Sequence, residues 1–260
     1  MKSKNWLFEA ALEAGELGFA ETGLIGVRKK TSSRTRVHLE ATALLAIAYL
    51  RQGDIAKAEP LIREVLLNDS NITSKSGRRI FRRRIIERFE TEGVFAALRG
   101  APQDRMDAKQ VQDEAGHLIR HKTEDELFEA VAEAAPSHIV PFLLRINELS
   151  KNQLPFEERK LLPPPDQLIL KKTLGRTIFS ATKRILWRSL CDPKSDVHKA
   201  WVNEGLGVVL NKHYVTAAII GALVQNSIAY KALAISFSAI VIKMGIEVFC
   251  EVFAPEEVLS

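Results

Sequence analysis

The chain of 260 residues is poor in cysteine. Cys191 and Cys250 are its only two cysteines, too few for a disulfide scaffold or for a zinc site built from four thiolates. We therefore expect a reducing compartment and a cytoplasmic protein. The long apolar run of an export signal is also missing near the first residues, because Glu9, Glu13 and Glu16 interrupt it.

Motifs for nucleophilic catalysis or nucleotide binding are missing as well. The sequence contains no Gly-x-Ser-x-Gly elbow, no phosphate loop ending in Gly-Lys-Ser/Thr and no dinucleotide fingerprint. Glu114, His117 and His121 share the flank of one predicted helix, but no second ligand pair accompanies them. We predict a protein without enzymatic activity, cofactor or metal.

Neither sign of charge dominates the sequence, and patterns typical of β-strands are missing. The 37 basic and 32 acidic residues leave a formal charge of +5, and the chain is 46% hydrophobic, which is typical of a globular protein. Alternating runs of Val, Ile, Thr and aromatic residues bounded by Asn-Gly or Asp-Gly turns do not occur. Helix-forming Ala, Leu, Glu, Lys and Arg fill most segments, which predicts an all-α fold.

The clearest local pattern is a pair of helices, predicted at Val37 to Leu50 and Ile55 to Leu67. The turn Gln52-Gly53-Asp54 separates them, and the Asp54 side chain is expected to cap the second helix. Small residues at Ala46 and Ala58 allow two antiparallel helices to approach closely.

Residues 36–68 resemble one copy of a tetratricopeptide repeat. The resemblance rests on three groups of residues: Leu45, Ala46 and Tyr49 in the first helix, Gly53 and Asp54 at the turn, and Ala58, Ile62 and Val65 in the second. It implies a protein-binding scaffold whose concave face holds a partner, with contacts from exposed polar positions on the first helix of the pair.

The proline run Pro163-Pro164-Pro165 is the best boundary candidate, because three rings fix the backbone and remove three donors. We predict an N-terminal repeat-like region at 1–155, a proline-rich linker at 156–166, and a compact C-terminal helical domain at 167–260 that ends in an apolar helical hairpin.

Two predicted helices are strongly basic. The first carries an apolar stripe of Phe81, Ile85 and Phe89 beside an arginine flank, and a second basic helix follows the prolines. These side chains are candidates to contact phosphates of nucleic acid or anionic lipid, or else to pair with acidic helices nearby. The candidate contacts are Arg78, Arg79, Arg82, Arg83, Lys171 and Lys172.

The C-terminal segment has long stretches without charge, from Tyr214 to Tyr230 and from Ala232 to Ile242. The first spans about 26 Å as a helix, short of the hydrocarbon thickness of about 30 Å. It is interpreted as a helical hairpin in the domain core, or as one that emerges to enter a bilayer. The candidate hairpin residues are Ile219, Ile220, Leu223, Ile235, Ile240 and Ile242.

Three functions follow from these patterns. The leading hypothesis is a non-catalytic adaptor that binds a protein partner through its N-terminal helical region. The alternatives are a membrane-active effector whose apolar hairpin inserts, and a nucleic-acid-binding module that uses the basic helix at 78–84.

Overall fold

The structure is a computed structural model that describes residues 2–99, 105–141, 143–144, 148, 170–199 and 212–254. These residues are almost entirely helical and include no strand. The predicted all-α class is confirmed.

Contacts divide the described residues into two compact units. Residues 2–97 cluster with the described part of 138–148, and 98–137 cluster with 170–254. Residues 98–137 are predicted to belong to the N-terminal region, whereas they pack with the C-terminal helices. The predicted linker at 156–166, with its proline run, lies outside the described residues.

The first unit consists of two helical hairpins followed by a long helix. Its helices are α1 (Lys2–Ala14), α2 (Leu17–Lys30), α3 (Arg36–Gln52), α4 (Ile55–Leu67) and α5 (Lys75–Leu98), with a 3₁₀ turn at Asp69–Asn71 before α5. Helix α3 contacts α1, α2 and α4. The first four helices therefore stack in order along the chain.

The predicted turn between α3 and α4 forms as expected. Gly53 has a φ of 82°, a left-handed conformation that ends α3. The Asp54 carboxylate accepts a hydrogen bond from the Lys57 backbone N–H at 3.1 Å, which confirms the predicted cap. At the other end of α3, the Thr35 hydroxyl accepts from the His38 N–H.

Helix α3 is buried on all sides over most of its length. Residues 41–48 are consecutively buried, together with Leu39, Leu50 and Arg51. Helices α1 and α2, by contrast, bury one face each, with Leu12 and Leu24 at the centre of the contact. A helix hydrophobic on all sides needs neighbours on all sides, so α3 is the central element of the first unit.

The second unit is assembled from helices that are distant in sequence. They are α6 (Ala108–His121), α7 (Glu124–Ala134), α8 (Lys171–Leu190), α9 (Lys212–Gln225), α10 (Lys231–Met244) and α11 (Ile246–Val252). A capping box forms at the start of α7, where Thr123 and Glu126 bond each other's backbone N–H. Helix α10 is the central element, because it contacts α6, α7 and α9.

Helices α7 and α8 approach each other closely at a glycine. A Cβ placed on Gly175 of α8 would stand 1.7 Å from the backbone oxygen of Phe128 in α7. No side chain fits in that space, so the absence of one at Gly175 sets the distance between the two helices.

A disulfide joins Cys191, just after α8, to Cys250 in α11. Trp187 Nε1 donates a hydrogen bond to the Cys250 carbonyl oxygen at 3.0 Å, and Phe179 contacts Phe249 and Phe253 edge to face. The two cysteines thus form one bridge, although their scarcity in the sequence predicts a reducing compartment. Disulfides persist mainly under oxidising conditions, so the bridge does not support the expected cytoplasmic location. That location stays a prediction.

Candidate functional surfaces

The arginines predicted to form one cationic flank on α5 divide into inward-facing and outward-facing groups. Arg82 is buried and pairs with Asp69 of the 3₁₀ turn, and Arg78 Nε donates to the Ile72 carbonyl oxygen at 3.2 Å. These two arginines hold the start of α5 against the preceding turn. Of the four predicted contacts on α5, Arg79 and Arg83 are the two that are exposed.

The second basic helix is paired with an acidic neighbour. Lys171 Nζ lies 2.6 Å from a Glu133 oxygen, and Lys172 pairs with Asp125. The hydrogen bond from the Lys171 ammonium group lowers the pKa of the Glu133 carboxyl. The hydrogen bond from Lys172 lowers the pKa of the Asp125 carboxyl in the same way. Both pairs link α8 to α7, as the alternative of pairing with a nearby acidic helix predicts.

The candidate hairpin residues face mostly inward. Ile219, Leu223, Ile235 and Ile240 are buried, whereas Ile220 and Ile242 are half-buried. None of the described helices is by itself long and apolar enough to cross a membrane, but α10 and α11 together meet the criteria of length and composition across a 93° bend.

The predicted partner-binding positions on α3 are scarce, because its middle is enclosed. Exposed residues on this helix are confined to its ends, at Arg36 and Gln52, and both side chains bond a carboxylate. Arg36 Nε donates to Glu40, and Gln52 Nε2 donates to Glu21 at 2.8 Å. A partner that binds the first unit needs another surface.

Such a surface lies on the outer side of the α1–α2 hairpin. Three of its large apolar side chains are more than half exposed: Trp6 at 66%, Leu7 at 54% and Phe19 at 57%. Phe19 contacts the ring of Phe8 edge to face, with the ring centroids 5.6 Å apart. Helical spacing alone groups Leu7 with Phe8, Ala11 and Leu12 on one face, but Leu7 is exposed whereas the other three are buried. We call Trp6, Leu7 and Phe19, with the small exposed residues Ala10 and Ala14, the hairpin face.

The packing of the hairpin itself explains why these side chains point outward. Phe8 occupies the space that a Cβ on Gly23 would need, since that atom would lie 2.0 Å from the ring. Asn5 Nδ2 donates to the Val37 carbonyl oxygen at 3.1 Å and turns the inner side of α1 toward α3. At 100° per residue, Trp6 and Leu7 then lie away from α3.

Polar side chains connect α2, α3 and α4 on another side of the unit. The His38 ring bridges Glu64 and Thr31, each at 3.3 Å, and Arg28 binds the second Glu64 oxygen at 2.7 Å. The Glu64 carboxylate is thus paired with Arg28, and the Thr31 hydroxyl donates to the Val27 carbonyl oxygen. Together these side chains tie the three helices to one another.

The histidines of α6 do not form a metal site. His121 Nδ1 lies 2.8 Å from the His117 carbonyl oxygen, and Glu114 pairs with Lys231 of α10 at 2.7 Å. Within the described ranges, no three His, Cys, Asp or Glu side chains are placed to hold a metal ion.

Comparison with known proteins finds no matching family model, no matching curated protein and no matching solved structure.

Proposed function

We propose that this protein is a non-catalytic, all-α adaptor that binds a protein partner through its N-terminal unit. The hairpin face carries the proposal, because it exposes Trp6, Leu7 and Phe19 on two adjacent helices. Aromatic side chains of this kind dominate the binding energy of protein interfaces. The repeat-like pairing of α1 with α2 and of α3 with α4 supports the same function.

The proposed occupant is an amphipathic helix of another protein, docked by its apolar side. Ala10 and Ala14 are exposed on α1 beside Leu7, and side chains this small let a helix approach closely. In stacked helical arrays an outermost pair normally has a polar outer side. The hairpin face is apolar instead. Apolar surfaces of this kind are typical of the side of a helix pair on which a further helix packs.

Site-directed photocrosslinking in the full chain tests the proposal. A photoreactive residue at position 7 or 19 is expected to capture one protein repeatedly, and the captured segment should be a helix with an apolar face. Binding of that segment as a synthetic peptide should then be lost on Leu7→Glu. Crosslinks only to a second copy of this chain would overturn the proposal.

Val252→Glu provides a matched control, since Val252 is 62% exposed but belongs to the second unit. Both variants place one acidic residue at an exposed apolar position and should melt at the temperature of the parent. Equal loss of binding in both would refute a role for the hairpin face.

A further inference from the structure

Basic side chains from two separate segments meet on the first unit. The last turn of α2 carries Lys29 and Lys30, and the loop after it carries Arg34, all three exposed. The Ser33 carbonyl oxygen of this loop accepts a hydrogen bond from Asn71 Nδ2 at 2.7 Å, across 38 residues of sequence. Asn71 lies four residues before Lys75, where α5 begins, so the bond brings the basic loop to the basic end of α5.

Helix α5 continues the positive surface for three turns. Lys75, Arg79 and Arg83 are four residues apart and exposed, so each lies one turn and about 40° beyond the last. None of the three has an acidic partner among the described residues. We define the basic surface as these residues together with the cations at the end of α2 and in the loop after it: Lys29, Lys30, Arg34, Lys75, Arg79 and Arg83.

Three acidic side chains of the first unit are paired with other arginines. Glu64 binds Arg28 at 2.7 Å, Glu40 binds Arg36 at 2.7 Å, and Asp69 binds Arg82. Arg28, Arg36 and Arg82 therefore neutralise these three carboxylates, and the six cations of the basic surface remain exposed.

We propose that the basic surface binds the phosphate backbone of double-stranded nucleic acid. Six cations from two segments match a target with closely spaced negative charges, because a duplex carries one charge per about 1.7 Å of its axis. Exposed hydroxyls at Ser32, Ser74 and Ser76 lie among the cations and add donors of the kind that position a protein on phosphates.

The composition of the surface favours a duplex over a single strand or a membrane. Single-strand binding uses aromatic side chains on which bases stack, and the one aromatic residue in segments 28–36 and 69–84 is Phe81, which is partly buried against the core. Binding in a bilayer interface requires an apolar side along the helix. Of the large apolar side chains that are exposed, Ile80 alone lies within these two segments.

A salt titration of duplex binding tests the proposal with the full chain. A fluorescent DNA duplex of about 20 base pairs, followed by anisotropy, is expected to bind without sequence preference. With about five phosphate contacts the affinity should fall roughly 10²- to 10³-fold between about 50 and 200 mM salt. Absence of binding at the lower salt concentration would overturn the proposal.

Arginine variants on α5 locate the contact. Replacing Arg79 and Arg83 together by alanine should reduce the slope of log affinity against log salt concentration by about two. Arg84→Ala is the matched control, because Arg84 is exposed on the same helix but lies about 140° around the axis from Arg79. Equal effects of the two changes would contradict the assigned surface.

Two further measurements separate this surface from other functions. Binding to phosphatidylserine vesicles in preference to the duplex would overturn the proposal in favour of a membrane. Leu7→Glu on the hairpin face should leave duplex binding unchanged, so the adaptor proposal and the nucleic-acid proposal succeed or fail independently.

Discussion

Arg51 and Glu92 form a buried ion pair between helices α3 and α5, with Arg51 Nε 2.9 Å from a Glu92 carboxylate oxygen. Arg51 also donates to the Leu12 carbonyl oxygen at 2.6 Å and to Glu13 at 2.8 Å. One guanidinium group thus connects the end of α1, the end of α3 and the C-terminal half of α5.

Removing one partner of this pair should destabilise the first unit strongly. Arg51→Met leaves the Glu92 carboxylate buried without its main counterion, and such losses cost about 3–5 kcal/mol. The free energy of unfolding, measured by urea denaturation, checks this value. Arg63→Met, an exposed arginine on α4, should change it by less than about 0.5 kcal/mol. If the two variants are equally stable, the pair makes no net contribution.

Glycine at position 175 should be essential for the packing of α8 on α7. Gly175→Ala would force the two backbones apart at Phe128, so we expect a cost of at least about 2 kcal/mol, in the range of overpacked cores. Gly221→Ala in α9 is the matched control, because no atom lies within 4 Å of its Cβ position. That change should stabilise the helix by up to about 1 kcal/mol. Thermal melts of the two variants should therefore shift in opposite directions.

The Cys191–Cys250 bridge should stabilise the second unit selectively. It joins positions separated by 59 residues, and loop-closure entropy for that length corresponds to about 4 kcal/mol. Dithiothreitol should therefore increase hydrogen exchange in α8 and α11 and leave α3 unchanged. A variant with serine at both positions should exchange like the reduced protein and show no response to reductant. Equal acceleration in both units would contradict the prediction.

Glu90 should make the first unit less stable at neutral pH than at mildly acidic pH. Burial, with a smaller contribution from Glu87, raises the pKa of Glu90 to about 7. Between its ordinary pKa of 4.5 and about 7 the folded state keeps the proton that the unfolded chain has lost. The contribution of Glu90 to the free energy of unfolding is therefore most favourable below pH 4.5. It falls by at most about 3 kcal/mol as the pH rises through that window.

Urea unfolding at a series of pH values measures this dependence. Glu90→Gln should remove the fall and stabilise the protein at pH 8, because the amide carries no charge to bury. Glu16→Gln, a change at an exposed carboxylate in the loop before α2, should leave the pH profile intact. A profile that is identical in the parent and in Glu90→Gln would refute the prediction.

Local features were predictable from the sequence because neighbouring residues determine them. The turn at Gly53, the cap at Asp54 and the capping box of Thr123 with Glu126 each involve residues within one helical turn. The apolar stripe of α5 is likewise a matter of spacing, and Ile85 and Phe89 are buried as expected.

Features that depend on distant partners could not be found in this way. Arg82 and Arg83 are adjacent and chemically identical, yet one is buried against Asp69 and the other is exposed. The hydrogen bond that joins Ser33 to Asn71 has no sequence signature, and neither does the packing of α7 on α8 that places residues 98–137 in the second unit.

The central position of α10 has a consequence for synthesis on the ribosome. Lys231 and Lys243, at its two ends, bond Glu114 and the Lys122 carbonyl oxygen of segments made more than a hundred residues earlier. Helices α6 and α7 therefore emerge long before the helix that covers their apolar sides. During that interval they expose surface of the kind that recruits chaperones or aggregates, and the nascent chain is most vulnerable until α10 has left the exit tunnel.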